Sequence, residues 1–565
     1  MGHTGASVSA STRHRTGWHT RVVRTLLTNG RIYSSWTPNA SALLVSGGEV
    51  AWLGDDASAA TMSSDRTVDL DGALVIPAFV DAHFHTTDTG LSLTGLDLGS
   101  AGSLAEALRA VERAARSSGG RPLLGAGWDE TRWPERRAPT AAELDRASYG
   151  GVVYLARTDA HSAVVSSALL AAVPGITGLD GFHPDGRLTK EAHHAARAVA
   201  RATITAGQRA ELQRVALRHA AAHGIAAVHE MAGPEISSAE DLAGLLALVS
   251  AGPSEGPYPE VFGYWGELRG AAAAAELGAV GAGGDLFCDG SIGSHTAGML
   301  QPYVDLPANL STGAGERGYL RYDTAELAEH LIECTEAGLQ GGFHAIGDAA
   351  TDQVVAAMRL AAGRAGSRVA AAGHRIEHAE LISDVPALAA TGLIASVQPA
   401  FDATWGGDSG MYAQRLGAER ARRLNPLAEL AAAGVPLAFG ADSPVTPVDP
   451  WGAVRAAVQP SNPAHALSPR AALAAHTLGG WRAARADSDG SGVLAPGAPA
   501  SYAVFATGPP GGDARDERLS QSGTDERSGV AALPDLAGLL KGRDLPRCLR
   551  TVVRGRQVFD SGELP

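Results

Sequence analysis

The most informative stretch of the sequence is Val75-Ile76-Pro77-Ala78-Phe79-Val80-Asp81-Ala82-His83-Phe84-His85. It is an apolar, strand-forming run that ends on two histidines separated by one residue. Because successive side chains of an extended strand point to opposite faces, His83 and His85 project together from the carboxyl end of this strand. Two imidazoles placed in this way can bind the same metal ion. An HxH pair alone is also a common polar strand end, so the rest of the chain must distinguish these interpretations.

Short apolar runs alternate with Ala-, Leu- and Arg-rich helical segments through the middle of the chain, a pattern typical of parallel β/α units. Eight of these runs are strand candidates, at 79–85, 225–230, 260–265, 285–289, 341–345, 374–378, 393–398 and 436–441. Eight such units predict an α/β protein with a (β/α)₈ TIM-type barrel over 77–490. The interval between the first two runs is far longer than one helix needs. We therefore expect 88–215 to be an insert that covers the active site.

Both ends of the chain contain short β-rich runs separated by turn signals. Neither end is long enough to bury an apolar face alone, so 26–76 and 491–565 are predicted to pair into one composite β-sandwich. Residues 1–25 are rich in Ser, Thr, His and Arg and are interpreted as a disordered tail. They contain neither the apolar core of a signal peptide nor a membrane span.

Composition restricts the partners of the 565-residue chain. With 46 Lys+Arg against 60 Asp+Glu the formal net charge is −14, which argues against nucleic acid as a partner. Three cysteines, an odd number without metal-knuckle spacing, favour a reducing compartment such as the cytoplasm. We expect a small-molecule substrate and no membrane association, with a homo-oligomer left open.

Three later strand candidates also end on potential metal ligands. These are His344, His378 and Asp442. Because the carboxyl ends of barrel strands form one catalytic face, the three side chains are expected to meet His83 and His85 there. Imidazole and carboxylate ligands suit Zn²⁺ or a related divalent ion, with an open position for the attacking water.

Further motifs carry a resemblance to a known family. They are Gly127-Trp128-Asp129, Pro139-Thr140 with Leu144-Asp145, Asp159-Ala160-His161-Ser162, Asp289-Gly290-Ser291 to Ala297, His344 to Asp348, Arg375 to His378, and Ala441 to Val445. In this order they resemble the amidohydrolase superfamily and, more narrowly, its YtcJ-like (amidohydrolase 3) branch, which includes N-substituted formamide deformylases. The resemblance implies a metal-dependent hydrolase with a β-sandwich beside its barrel.

One departure from that family concerns the metal count. Many relatives carry a carbamylated lysine on the fourth strand that bridges two metals, and Asp285 stands at the aligned position. The only lysines are Lys190 and Lys541, so a carbamate bridge is excluded. Either the carboxylate of Asp285 or Asp289 replaces it, or the site holds one ion, with Glu191 of the insert as a further candidate ligand. We favour one ion, because an aspartate side chain is expected to stop short of a bridge.

Four residues outside the metal pattern are candidates for substrate contact. His161 and His295 lie in polar loops, where they either touch substrate or cap a loop. Trp128 either walls the pocket or packs in the insert, and Asp129 is a candidate for a polar substrate group.

The leading hypothesis is hydrolysis of a non-peptide C–N bond in an amide, formamide or cyclic amide. Asp442 would accept the proton of the attacking water and pass it to the leaving nitrogen, and His378 or His295 would stabilise the oxyanion. The alternatives are lactone or ester hydrolysis at the same site, and a regulatory relative that has no catalytic activity.

Overall fold

A computed structural model of the chain describes residues 23–252, 256–306, 315–506 and 545–564. Strands and helices are numbered along the chain. The strands are Arg24–Thr28 (β1), Arg31–Ile32 (β2), Ala42–Ser46 (β3), Glu49–Gly54 (β4), Arg66–Asp69 (β5), Leu74–Pro77 (β6), Phe79–Phe84 (β7), Leu96–Asp97 (β8), Leu123–Trp128 (β9), Val153–Arg157 (β10), Ser162–Val165 (β11), Arg187–Thr189 (β12), Ile225–Ala232 (β13), Glu260–Trp265 (β14), Gly281–Ala282 (β15), Gln340–Ala345 (β16), Arg375–His378 (β17), Ile394–Val397 (β18), Leu437–Phe439 (β19), Tyr502–Ala506 (β20), Arg547–Val553 (β21) and Arg556–Asp560 (β22). The helices are Asp56–Ala59 (α1), Thr86–Thr94 (α2), Leu104–Ser118 (α3), Ala141–Ala147 (α4), Ser167–Ala172 (α5), Lys190–Arg201 (α6), Ala206–Ala222 (α7), Ala239–Ser250 (α8), Ala271–Leu277 (α9), Thr324–Ala337 (α10), Asp348–Ala365 (α11), Arg368–Ala371 (α12), Val385–Ala389 (α13), Pro399–Trp405 (α14), Met411–Leu416 (α15), Ala418–Ala421 (α16), Leu427–Ala432 (α17), Pro450–Val458 (α18), Pro469–Ala475 (α19) and Leu478–Ala483 (α20).

Eight parallel strands form the barrel, in the order β7, β13, β14, β15, β16, β17, β18 and β19. The two ends of this sheet meet where Phe84 bridges Ser443 and the amide of Asp442 donates to the carbonyl of His83 at 2.8 Å. The predicted (β/α)₈ barrel is therefore confirmed. Closure also brings the carboxyl ends of the first and eighth barrel strands side by side, together with the ligand candidates that they carry.

The fourth barrel strand does not lie where the sequence predicted it. We expected 285–289, whereas β15 spans only Gly281–Ala282 and ends before Asp285. Gly283 and Gly284, with φ of +146° and +78°, follow it and pass tightly between the neighbouring strands. A Cβ on Gly283 would lie 2.2 Å from the backbone nitrogen of Gly342. Because only glycine tolerates this path, the two glycines interrupt the strand and place Asp285 at the barrel mouth, and the chain then pairs with β16 again through Phe287 and His344.

Strands from both ends of the chain lie in one five-stranded sheet, in the order β2, β6, β20, β21 and β22. A second sheet, in the order β4, β3, β1 and β5, comes from the N-terminal segment alone. Alternate side chains of β20 serve two different cores. Tyr502 and Val504 pack with the N-terminal strands, whereas Phe505 contacts Phe79 and Trp451 of the barrel at ring-centre distances of 5.8 and 5.5 Å.

The insert between the first two barrel strands has its own five-stranded sheet, in the order β12, β11, β10, β9 and β8. Helix α3 packs on one face, in a core with Trp128, Trp133 and Leu155. Helix α6 packs through Ala192 and Ala196 in a core on the other face. Helix α7 then leads back into β13.

The N-terminal boundary differs slightly from the expectation of a tail over 1–25. Most of that range lies outside the described residues, but Arg24 and Thr25 already belong to β1 and pair with Ser46 and Val45. Within the described ranges, none of the helices has the length and apolar character needed to cross a membrane.

The glycine turn after β15 can be tested by Gly283→Ala. We expect the free energy of unfolding to fall by about 1–3 kcal/mol, because the methyl group clashes with the backbone of Gly342 and the backbone is held at positive φ. Urea denaturation measures the change. The matched control is Gly278→Ala, at φ +75° with nothing within 4 Å of the added Cβ, which isolates the cost of the backbone conformation. Equal losses in the two variants would contradict the close approach.

Candidate metal centre

Six side chains converge at the carboxyl end of the barrel, and their polar atoms lie close together. Asp285 is central to them. Its carboxylate oxygens lie 3.4 Å from Nε2 of His83, 3.2 Å from Nε2 of His85, 3.4 Å from Nδ1 of His344 and 3.5 Å from Nε2 of His378. Oδ1 of Asp442 lies 3.5 Å from Nε2 of His83 and 3.1 Å from Nε2 of His85.

Most of these atoms are buried without a hydrogen-bond partner in the described part of the chain. The unpartnered atoms are His83 Nε2, Asp285 Oδ1, His344 Nδ1, His378 Nε2 and Asp442 Oδ1. Buried polar atoms are rarely left in this state, since each costs about 1–3 kcal/mol. Two ligands bonded to one tetrahedral Zn²⁺ at about 2.0–2.1 Å are about 3.3 Å apart, as these donors are. The residues therefore fit a divalent cation.

The second nitrogen of each histidine is held by a hydrogen-bond acceptor. Nδ1 of His83 donates to Glu377 at 3.0 Å, and Nδ1 of His85 donates to the carbonyl of Met231 at 3.0 Å. Nδ1 of His378 donates to Oε1 of Gln398 at 2.8 Å. In the same way, Nε2 of His344 donates to the carbonyl of Gly290 at 3.3 Å. These bonds leave the lone pair of each imidazole facing the cluster, as metal ligation requires.

Glu377 is itself held by a buried arginine. Arg375 donates to both of its carboxylate oxygens, at 2.8 and 3.0 Å, and also to the carbonyl of Ala82 and to Nδ1 of His229. Burial alone would raise the pKa of Glu377, but the charge of Arg375 outweighs it and lowers this pKa to about 2. The glutamate thus stays ionised, so it accepts from His83 and orients that ring.

Two ligand candidates have a backbone conformation that side-chain-bearing residues seldom adopt. His378 has φ of +69° and Asp442 has φ of +52°. Non-glycine residues in this region cost about 1–3 kcal/mol and concentrate at functional sites. His378 is the last residue of β17 and Asp442 lies three residues beyond the end of β19, so each unusual conformation falls where a strand end meets the cluster.

Asp285 reaches further than the sequence predicted. We expected it to stop short of a bridge because an aspartate is shorter than a carbamylated lysine. That expectation assumed a position on the strand, whereas the turn at Gly283 and Gly284 moves the backbone itself toward the cluster. As a result the carboxylate contacts all four histidines.

The other two carboxylate candidates are not in the cluster. Asp289 is buried and accepts from the backbone amides of Gly298, Ile346 and Gly347, at 2.8–3.1 Å, so it joins loops. Burial raises its pKa to about 7. Glu191 lies in the first turn of α6 with an exposed side chain.

A cavity of about 650 Å³ opens onto the cluster. His161 lines it, and its ring centre lies 4.9 Å from that of His344 and 5.4 Å from that of Phe287. Burial and the neighbouring His344 lower the pKa of His161 to about 3, so its ring is neutral at pH 7. The sequence candidate His161 is thus brought to the site.

Three other candidates are not brought there, since none lines the cavity. The Trp128 indole is buried in the insert and donates to the carbonyl of Leu155 at 2.9 Å. Asp129 accepts from the backbone and hydroxyl of Thr131 and pairs with Arg157. His295 is hydrogen-bonded through Nε2 to the carboxylate of Asp305 at 3.0 Å.

The sequence interpretation missed residues that α6 contributes to the cavity. Arg197 and Arg201 line it, and His193 lies on the same helix. The signal was present as the spacing of these three residues, each four positions from the next, which places them on one helix face. An arginine in an alanine-rich helix is usually solvated, so this spacing alone did not distinguish a cavity wall from a surface.

The fold and the donor set together describe a (β/α)₈ barrel with residues that could hold a metal ion, and the comparison with known families agrees with this description. The model of the amidohydrolase family matches residues 66–559. The chain belongs to the amidohydrolase family, and the resemblance drawn from its motifs is confirmed.

Individual relatives match different shares of the chain. "Protein LONG AFTER FAR-RED 3" of Arabidopsis thaliana is 27% identical over 537 residues, which are 85% of this chain and 87% of the relative. "Putative amidohydrolase YtcJ" of Bacillus subtilis (strain 168) is 26% identical over 418 residues, 69% of this chain and 74% of that protein. An N-substituted formamide deformylase of Arthrobacter pascens is 29% identical over 136 residues, 23% of this chain and 25% of the deformylase. Among solved structures, an uncharacterized metal-dependent hydrolase from Pyrococcus horikoshii OT3 superposes with a TM-score of 0.67 and 28% identity, over 85% of this chain and 97% of that one.

The hydrogen bond between Glu377 and His83 can be tested by Glu377→Gln. We expect metal affinity to fall by about 10–100-fold, because the amide holds the imidazole less firmly and makes it a weaker base. Competition with a chromogenic chelator measures this on folded protein. Glu333→Gln, which removes a glutamate paired with Arg269 away from the site, should leave the affinity unchanged. An unchanged affinity in Glu377→Gln would show that the bond does not act on the metal.

Proposed function

We propose that this protein is a metal-dependent hydrolase that cleaves a non-peptide C–N bond in a small amide, formamide or cyclic amide. One observation carries the proposal. Five buried donor atoms without hydrogen-bond partners in the described residues converge beside a cavity that is large enough for a small substrate. The local match to an N-substituted formamide deformylase supports the choice of bond.

The centre is proposed to bind Zn²⁺, with one tight site. His83, His85, Asp285 and Asp442 provide three or four donors to that ion. His344 and His378 share the Asp285 carboxylate and form a weaker second set, because only one carboxylate, already engaged, balances its charge. A divalent cation bound there lowers the pKa of water and polarises a carbonyl group.

Asp442 is proposed as the general base. It lines the cavity, and burial would raise the pKa of this carboxylate, but its interactions with the rings of His83 and His85 outweigh burial and hold the pKa below its usual range. It takes a proton from the attacking water as the new C–O bond forms. It then gives that proton to the nitrogen as the C–N bond breaks, which yields a carboxylic acid and an amine.

His378 is proposed as a ligand and not as the donor to the oxyanion. Its Nδ1 proton is given to Gln398, so the Nε2 that faces the cluster carries a lone pair. His295, the other oxyanion candidate, is engaged with Asp305 and has no part in the proposed reaction.

The insert at 88–215 is proposed to cover the catalytic mouth. Its residues Tyr154, His161 and Arg197 line the same cavity as the ligand candidates His85 and Asp442. A cover of this kind excludes bulk water and selects the substrate.

The reaction class is tested by a turnover screen. N-formyl, N-acyl, cyclic-imide and lactone compounds are supplied to protein loaded in turn with Zn²⁺, Mn²⁺ and Fe²⁺. We expect hydrolysis in at least one C–N class and none with lactones. Turnover of lactones alone would replace the proposal with an esterase activity, and no turnover with any compound would favour a regulatory protein.

For the best substrate of that screen, Asp442→Asn is expected to lower kcat by about 10²–10⁴-fold, because the amide cannot accept the proton. The amide oxygen remains a possible ligand, so metal content should be retained. Asp348→Asn serves as the control, since Asp348 follows a barrel strand but bonds to the backbone of Leu300. Normal turnover in Asp442→Asn would remove Asp442 from the role of base.

Metal content is predicted to be one tightly held equivalent after dialysis, with a second bound only in excess Zn²⁺. Asp285→Ala should lose both, because this carboxylate lies within 3.5 Å of nitrogens from all four histidines. Elemental analysis measures the equivalents. Two equivalents surviving dialysis would contradict the single tight site, and normal content in Asp285→Ala would show that Asp285 is not a ligand.

A further inference from the structure

One nearly buried arginine in the cavity wall has no carboxylate to balance its charge, unlike Arg132, which lines the cavity but is exposed. Arg197 of α6 is 7% exposed and lines the cavity. Across the described ranges, no Asp or Glu oxygen lies within 4.0 Å of its guanidinium. Because a guanidinium stays charged at any physiological pH, this is a nearly buried positive charge facing the space where a substrate would lie.

Two other arginines of the same wall are neutralised by the protein. Arg157 is paired with Asp159 at 2.9 Å and with Glu130 at 2.9 Å. Arg201, one turn beyond Arg197 on α6, is paired with Asp88. The lack of a carboxylate partner therefore distinguishes Arg197 from Arg157 and Arg201 and is not shared by the whole wall.

The contacts of Arg197 are all with groups that carry no negative charge. Its guanidinium donates to the carbonyl of Ala160, to the carbonyl of Glu235 at 3.4 Å and to the hydroxyl oxygen of Tyr154 at 3.4 Å. These hydrogen bonds orient the guanidinium but do not balance its positive charge. Burying an unpaired charge is costly, and binding of an anion in the cavity would recover that cost.

The position of Arg197 relates this charge to the metal centre. The guanidinium bonds to Ala160, and the ring of the next residue, His161, lies 4.9 Å from that of His344. An anionic group held by Arg197 would thus lie in the same cavity as the ligand cluster. The cavity is also lined by apolar side chains, among them Leu96, Leu124 and Phe287.

We infer that the cavity is built for a substrate that carries a carboxylate as well as the scissile amide, with Arg197 as the residue that pairs with this carboxylate. The inference rests on the proposed function and specifies its substrate class. A monoanion fits better than a phosphate monoester, because one guanidinium balances one negative charge. The apolar side chains that line the same cavity fit a hydrocarbon linker or side group.

Binding of two matched probes tests the inference without requiring turnover. Full-length, Zn²⁺-loaded protein is titrated calorimetrically with 3-phenylpropanoate and with the neutral 3-phenylpropanamide. We expect the acid to bind about 30-fold or more tightly than the amide. In Arg197→Gln the ratio of the acid affinity to the amide affinity should fall close to one, apart from a residual preference of the metal for the acid. Arg187→Gln, which removes an exposed charge of the insert, should keep the wild-type ratio.

Two results would overturn the inference. One is equal binding of acid and amide by the wild-type protein, a comparison that needs no variant. The other is an unchanged ratio in Arg197→Gln, which would assign the preference to the metal alone. Arg197→Lys, which retains the positive charge but not the planar guanidinium, should recover part of the preference for the acid.

Turnover separates this inference from the proposed function. If the function is right, N-formylphenylalanine should be hydrolysed with a kcat/KM about 30-fold or more above that of its carboxamide, and Arg197→Gln should abolish the difference. Selective acid binding that depends on Arg197, with no hydrolysis of any amide, would support the anion site and reject the hydrolase. Hydrolysis of an amide with no preference for the acid would support the hydrolase and reject the anion site.

Discussion

The carboxylate of Asp285 lies among four imidazoles, and the catalytic face of this barrel is organised around it. Four histidines brought together without an anion would repel one another on protonation and would have no common partner. Asp285 supplies that partner because Gly283 and Gly284 interrupt the fourth strand just before it. A short side chain thus reaches all four histidines because its backbone lies close to them.

The histidines are useful as ligands only because the protein determines which nitrogen carries the proton. Each ring donates one N–H to a fixed acceptor, and those acceptors come from different places in the fold. The acceptors are the carboxylate of Glu377, the side-chain amide of Gln398 and the backbone carbonyls of Met231 and Gly290. The strongest of these is Glu377, because the fully buried Arg375 keeps it ionised and immobile. The ion pair stabilises a strand and orients a ligand at the same time.

The barrel and the insert line the cavity with chemically different side chains. The barrel supplies the acidic and imidazole groups of the centre, whereas the insert supplies arginines and apolar side chains. Under the proposed function, chemistry and selection come from separate segments, so the insert can change the substrate without disturbing the strand ends. Charge along the insert wall is unevenly balanced, and Arg197 is its nearly buried arginine without a carboxylate partner in the described residues.

Local sequence was sufficient for the features that depend on strand order and strand ends. Alternating β and α segments predicted the barrel, and seven of its eight strands overlap the observed ones. His83, His85, His344, His378 and Asp442 could be grouped because parallel strands place their carboxyl ends on one face. The pairing of the two chain ends followed from the same reasoning about exposed edges and apolar faces.

Tertiary structure alone decided what depends on distances between segments far apart in the chain. Nothing local to Asp285 shows that two glycines move it into the barrel mouth, because that path exists only beside the backbone of Gly342. Trp128, Asp129 and His295 looked like site residues, but each found a partner within its own loop or sheet. Arg197 looked like a surface residue, and its charge became a property of the cavity only when the insert folded over the barrel. Spacing along a strand determines where a side chain starts and which face it takes, whereas the groups that it finally meets are determined by how the segments pack.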